Sequence, residues 1–171
     1  MVEAFKTMAA NNAWANATLF GAATRLPETA AHDPAPGFFP TLSRTLNHIH
    51  EVDLYYLDAI EQKGLGRAVY RRDDIPAMAD LAEAQAKLDA RLIRFCAKLT
   101  PEMLLEMRPT ERHEETVHEE VQALLLHLFQ HQVHHRGQAH VQLHALGIDP
   151  PQLDDFHLRY DRALSAQVYW Q

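Results

Sequence analysis

VHEEVQALLLHLFQHQVHHRGQAHVQLHAL, residues 117–146, carries helical periodicity along its whole length and stops at Gly147, with Pro150 and Pro151 beyond. At 100° per residue, Val117, Val121, Leu124, Leu128, Ala139 and Leu146 fall within about 60° of one another and define a core-facing stripe. His131 and His135 lie in that stripe or at its edge. Two polar groups placed in an apolar seam, one turn apart, must be satisfied by something inside the protein. The i, i+4 spacing sets both imidazoles side by side, the arrangement by which one helix gives two ligands to one metal ion. The competing reading is a pair of core histidines bonded to neighbouring groups.

The other histidines of this helix carry less. His127 and His134 flank the stripe, and His140 and His144 lie nearly opposite it, where a solvated or interface-lining pair is expected. The back face also holds Leu126, Phe129 and Val133. A helix apolar on two faces needs a second partner, either the C-terminal tail or another subunit.

Outward from this helix, three more segments have the same periodicity, and no alternating run exceeds a few residues, which predicts an all-α protein. The first helix is expected from about Glu3 to Ala23, followed by a loop rich in proline and glycine from Pro27 to Pro40. The second begins near Thr41 or Ser43, either of which can cap it, and runs to about Gln62. Arg67 to Asp74 reads as irregular. Pro76 suits the first turn of a third helix reaching about Leu99, closed by Thr100-Pro101. Met103 to Val117 is compatible with a small hairpin. The fourth helix is the histidine-rich one, from Val117 to Leu146, and Asp154 to Gln171 fits one short helix. The expectation is a single four-helix bundle domain over residues 1–171 with a short helical tail.

Composition sets the outer limits. A chain of 171 residues with 47% hydrophobic residues can bury about 70% of its unfolded surface in one core. Cys96 is the only cysteine, so an internal disulfide and a multi-cysteine zinc site are excluded, as expected for a reducing compartment. With 16 Lys+Arg against 23 Asp+Glu and no basic stripe, a nucleic-acid partner is not expected. No apolar run is long enough for a membrane span, and Asn11, Asn12 and Asn16 interrupt the alanine-rich start where a signal peptide would be continuous. The expectation is a cytoplasmic protein. Its abnormal feature is a total of 12 histidines, seven of them between His118 and His144.

Two histidines leave a divalent ion under-coordinated, so another helix must contribute. The second helix, TLNHIHEVDLYYLDAI at residues 45–60, has an apolar stripe of Leu42, Leu46, Ile49, Tyr56, Leu57 and Ile60 with Asp53 near its centre. His50 and His48 lie off the stripe on opposite flanks, and periodicity does not choose between them. Asp53 reads first as a carboxylate accepting an imidazole N–H, with direct ligation and helix packing as alternatives. Glu51 and Asp53 are the nearest carboxylates for a general base. Cys96 falls in the pattern of the third helix as a packing residue.

NNAWAN at residues 11–16, the second-helix segment above and HLFQHQVHHRGQAHVQL at residues 127–143 follow one another in an order that resembles the DinB-like superfamily, also called the DinB/YfiT-like metalloenzymes. The similarity extends over most of the chain. Its most specific part is the His-x-x-x-His followed by Arg136, Gly137 and Gln138. The resemblance implies His131 and His135 as metal ligands and His48 as the third, in a four-helix bundle with an unusual helix order that frequently dimerises. It implies a divalent ion, with zinc, nickel, iron and manganese all open. Related branches include bacillithiol S-transferases and mycothiol-dependent maleylpyruvate isomerase, so it also implies a low-molecular-weight thiol as co-substrate of an S-transferase. A metal-dependent hydrolase and a non-catalytic metal-binding stress-response protein remain as alternatives. A homodimer is expected, with Phe129 and Val133 near the contact, and ordinary imidazole pKa values predict metal release below about pH 6.

Overall fold

The computed structural model describes residues 1–170. Four long helices form the bundle: α1 (Val2–Ala23), α2 (Leu42–Glu61), α3 (Met78–Ala97) and α5 (Val121–Ala145), with one short turn of helix, α4 (Pro101–Leu104), between the last two. α1 packs chiefly on α3 and α2 on α5, while α2–α3 and α1–α5 contacts close the ring, so the order around the bundle is α1, α3, α2, α5. The core divides along the axis. Phe5, Leu57, Leu88, Leu92, Leu125 and Phe129 fill one end, and Leu19, Leu42, Leu46, Leu81 and Leu143 the other. No described helix is long and apolar enough to cross a membrane.

Several boundaries differ from the sequence expectation for local reasons. Val117 is not helical: Thr116–Glu120 forms strand β2, antiparallel to β1 (Met107–Glu111), with Thr110 opposite Val117. The hairpin is tied to α2, since the Tyr55 hydroxyl donates to the Glu111 carbonyl and Arg108 Nε to the Ile60 carbonyl at 3.0 Å. These ties hold the chain extended until Val121, which shortens the fourth long helix. Pro76 lies before α3, not in its first turn. Asn47 clamps the Ile75 backbone from both sides, with Ile75 N donating to Oδ1 at 2.8 Å and Nδ2 donating to Ile75 O at 3.1 Å, and a residue before proline favours that extended form. Thr41 caps α2, its Oγ1 accepting from Arg44 N at 3.1 Å. The segment Arg67 to Asp74, expected to be irregular, starts within a 3-10 turn, Gly66–Arg71.

The tail forms a 3-10 segment, Leu164–Tyr169, in place of a regular helix; Gln171, the last residue of the expected tail, lies outside the described residues. It covers α1: Trp14 packs on Phe156, with ring centroids 5.6 Å apart, and donates from Nε1 to Ser165 Oγ at 3.0 Å. Phe129, expected near a subunit contact, packs in the core, 4% exposed and 6.3 Å from the Phe5 ring. The apolar back face that does reach the surface is Leu126 and Val133, 52% and 57% exposed. Phe129→Ala should cost about 3–5 kcal/mol of stability in urea unfolding, and a loss below about 1 kcal/mol would contradict this packing.

Candidate metal centre

His48 on α2 faces His131 and His135 on α5 across the bundle. The ring centroids stand 4.9 Å (His48–His131), 4.6 Å (His48–His135) and 4.3 Å (His131–His135) apart. One ring nitrogen of each lies within 4.8 Å of the other two, and Nε2 of His48 is 3.1 Å from Nε2 of His131. Two nitrogens on one tetrahedral ion, at bond lengths of about 2.0–2.1 Å, stand about 3.4 Å apart, so this cluster could hold a metal ion with little movement. His50, which periodicity could not separate from His48, points elsewhere: its Nδ1 meets Gln85 Oε1 of α3 at 3.2 Å.

Electrostatics suits the donor set to a cation. Burial, then His135 and Arg44, pushes the His48 imidazole down to about 4. Burial, then His135, His48, His127 and His134, pushes His131 down to about 3. His135 is lowered mainly by burial as well. Below the ordinary value of 6.5 these rings stay neutral and keep their lone pairs, and crowding of imidazoles disfavours protonating any one of them. Gln138 fixes a tautomer. Its amide donates to His134 Nε2 at 3.0 Å, which leaves Oε1 to accept from His135 Nδ1 at 2.9 Å and turns the Nε2 lone pair of His135 free. His131 Nδ1 is buried and has no partner.

Low imidazole pKa values move the expected acid release of metal. The protein loaded at pH 7 should still hold its ion at pH 6 and lose it further down, as His135 and then His48 and His131 protonate, rather than already at about 6. Equilibrium dialysis across pH 3.5–7 measures this, and a release midpoint near 6 would show ordinary imidazoles.

Asp53 does not support the three rings. It is 3% exposed, its Oδ2 accepts from Gln85 Nε2 at 2.9 Å and from Gln132 Nε2, and no imidazole hydrogen-bonds to it. Glu51 is held by Arg44 at 3.0 Å, so neither carboxylate reaches the cluster as a base. His140 Nε2 meets the Pro151 carbonyl at 3.2 Å. Cys96 is fully buried and its thiol is pushed up to about 12, which makes it a packing residue.

Beneath the cluster lies a buried polar layer that helical phase did not single out. Arg136 Nη1 donates to Asn12 Oδ1 at 2.5 Å, Asn16 Oδ1 at 3.0 Å and Gln132 Oε1 at 2.9 Å. Asp89 accepts from Asn12 at 3.1 Å, Asn16 at 3.0 Å and Gln85 at 3.2 Å. The missed signal is in the sequence: Asn12/Asn16, Gln85/Asp89 and Gln132/Arg136 are each i, i+4 polar pairs in apolar surroundings. Phe39, whose ring lies 4.6 Å from His48 and 5.7 Å from His135, comes from the proline-rich loop and had no signal.

A bundle that gathers three imidazoles from two helices over a buried polar layer defines a helical protein with a metal-competent histidine cluster. The DinB family profile matches residues 1–163, and the chain belongs to the DinB family. Protein DinB of Bacillus subtilis (strain 168) is 25% identical over 145 residues, covering 80% of this chain and 82% of that protein. The crystal structure of a DinB-like protein from Bacillus cereus ATCC 10987 has the same fold, with a TM-score of 0.63 at 18% identity, covering 81% of this chain and 90% of that one.

Proposed function

We propose that this protein is a divalent-metal-dependent transferase that joins a small cellular thiol to an electrophile, with His48, His131 and His135 holding the ion. The observation that carries the reading is a donor set of three neutral imidazoles with no carboxylate or thiolate among them. Such a set would leave the ion dipositive with a coordination position to spare, and a bound ion of that kind acidifies a thiol or a water molecule. The chain supplies no nucleophile of its own near the cluster, since its one thiol, Cys96, is buried and pushed up to about 12. The nucleophile must therefore arrive with a co-substrate. In the transfer, the sulfur forms a bond to the electrophilic carbon, the leaving group departs with its bonding pair, and the thiol proton passes to solvent. Gln138 keeps the His135 lone pair turned inward through this cycle, and Phe39 screens one side of the rings from water.

The test is conjugation of cysteine, glutathione or coenzyme A to 1-chloro-2,4-dinitrobenzene by zinc-, nickel-, iron- and manganese-loaded protein. The rate above background should vanish with chelator and with His135→Ala. Hydrolysis of 4-nitrophenyl acetate with the same metal dependence and no need for thiol would replace this reading with a hydrolase, and inactivity in both assays with a metal-binding role alone. The exposed Leu126 and Val133 support a homodimer through this face. Light scattering of wild type against a Leu126→Glu, Val133→Glu variant tests it, and a monomeric wild type at micromolar concentration would refute it.

A further inference from the structure

We propose that the cleft between α1, α5 and the tail is a second ligand site, in which Arg136 holds the carboxylate of a small monoanion whose apolar body lies against Met8 and Leu153. The cleft has a volume of about 500 Å3 and shares no residue with the histidine cluster. It lies on the α1 side of α5, roughly half a turn around that helix from the face that turns His131 and His135 toward α2. Arg136 lines it from within. The residue is 5% exposed, and its acceptors, Asn12, Asn16 and Gln132, are amide oxygens reached from Nη1 alone. Among the described residues Nε and Nη2 donate to nothing, and no ion pair includes Arg136. Asp53 and Asp89 act on it from α2 and α3 beyond ion-pair distance, and burial raises both carboxyls, which weakens their negative charge near neutral pH. A guanidinium buried this deeply with donors to spare is costly until an anion meets them. Its free edge, Nε beside Nη2, matches the two oxygens of a carboxylate.

The space beside the guanidinium is open and its walls are fixed. Gly137 lines the cleft, and a Cβ there would meet nothing within 4 Å. Asn11, buried on α1, brings a side-chain amide to the same cleft. The tail makes the remaining wall. His140 Nε2 donates to the Pro151 carbonyl at 3.2 Å, and Trp170 Nε1 and Arg162 Nε donate to the Phe156 carbonyl at 3.1 and 3.0 Å. With the Phe156 side chain fully buried, these bonds hold the tail against the bundle, and Leu153 joins Met8 as apolar lining. The rim sets the charge of the ligand. Asp154, exposed there, accepts from Gln152 Nε2 at 2.5 Å and remains an anion facing whatever enters. A second carboxylate on the ligand would meet it, so one negative charge at one end of an apolar body is what the cleft accommodates.

The probes are hexanoate, hexan-1-ol as its neutral counterpart and adipate as its dianion, titrated into zinc-loaded and chelator-treated protein. The readout is the Nε–H NMR resonance of Arg136, assigned by through-bond correlation to its own backbone, so no variant is needed to identify it. Hexanoate should shift this resonance and bind about tenfold or more tightly than hexan-1-ol and adipate, in both forms of the protein. Gly137→Leu fills the cleft while leaving Arg136 and its amide partners in place, and should weaken hexanoate by about tenfold or more at unchanged helicity. An unmoved Arg136 resonance overturns the proposal, as does equal or tighter binding of hexan-1-ol or adipate. Full hexanoate affinity in folded Gly137→Leu overturns it as well. So does binding that requires zinc, since the carboxylate then sits on the histidine cluster. A chain that takes no metal yet binds hexanoate at Arg136 would sink the transferase reading and leave this site standing.

Discussion

His131→Ala is expected to reduce bound divalent metal from about one ion per chain to under about a tenth of that, the larger part of the site's affinity going with one ligand. His131 stands 4.9 Å from His48 and 4.3 Å from His135, and its Nε2 lies 3.1 Å from Nε2 of His48. His135→Ala and His48→Ala should follow it, whereas His50→Ala should keep its metal because that ring is spent on Gln85. Elemental analysis of protein purified without chelator reads all four. Full metal in His131→Ala would remove the centre. A second measurement separates a ligand from a structural core histidine: with the ion stripped, His131→Ala should unfold within about 1 kcal/mol of wild type. The substitution gives up the 3.1 Å contact of Nε2 with His48 and some packing, but it also removes a buried Nδ1 that has no partner, so loss and relief offset.

How much of this was legible in the sequence depends on whether a feature repeats along one helix or is made between elements. His131 and His135 announce themselves because a polar pair interrupts a continuous apolar seam, and both rings end where the seam points. The choice of His48 over His50 is not periodic information. It is set by Gln85 on another helix, which draws His50 toward α3. Helical phase defines faces but cannot say that α1 would cover the one that carries Phe129, with Phe5 against it. The hairpin at Met107–Glu120 depends on Tyr55 and Arg108 reaching across from α2 and from β1, so propensity alone left it open. The polar layer was the most readable of the missed features. It follows the same i, i+4 rule that found the histidines, applied to asparagine, glutamine, aspartate and arginine on three helices.

That layer positions the cluster, and a stability effect as large as that of truncating a core phenylalanine is expected there. Gln132 and Arg136 alternate along α5 with His131 and His135, so whatever fixes the inward face of this turn also fixes the two ligands' backbone. Arg136 is 5% exposed and is the cation that opposes both Asp53 and Asp89. Arg136→Met would leave three amide oxygens without their donor and remove the cation that faces two buried carboxyls, for an expected loss of about 3–5 kcal/mol. The loss should depend on pH, and its sign follows from Asp89. Burial pushes that carboxyl from an ordinary 3.8 up to about 7, with Asn16, Gln85, Arg136 and Asn12 pulling the other way. Between those values the native state holds a proton that the unfolded chain has released, so this group costs stability as pH rises from about 4 to about 7. Without Arg136 the native carboxyl moves higher still and the cost continues to grow above pH 7. Urea unfolding of both proteins at pH 5 and pH 8 should therefore show the larger deficit at pH 8. The effects of the low imidazole values on stability, present in both proteins, largely cancel in that difference. Asp89→Asn in the Arg136→Met background should recover part of the loss at pH 8, because it removes the Asp89 charge that has lost its counter-ion while Oδ1 still accepts from the same amides. An equal deficit at the two pH values, or one below about 1 kcal/mol, would mean that the layer is held by its amide hydrogen bonds alone and that the guanidinium is not its balancing charge.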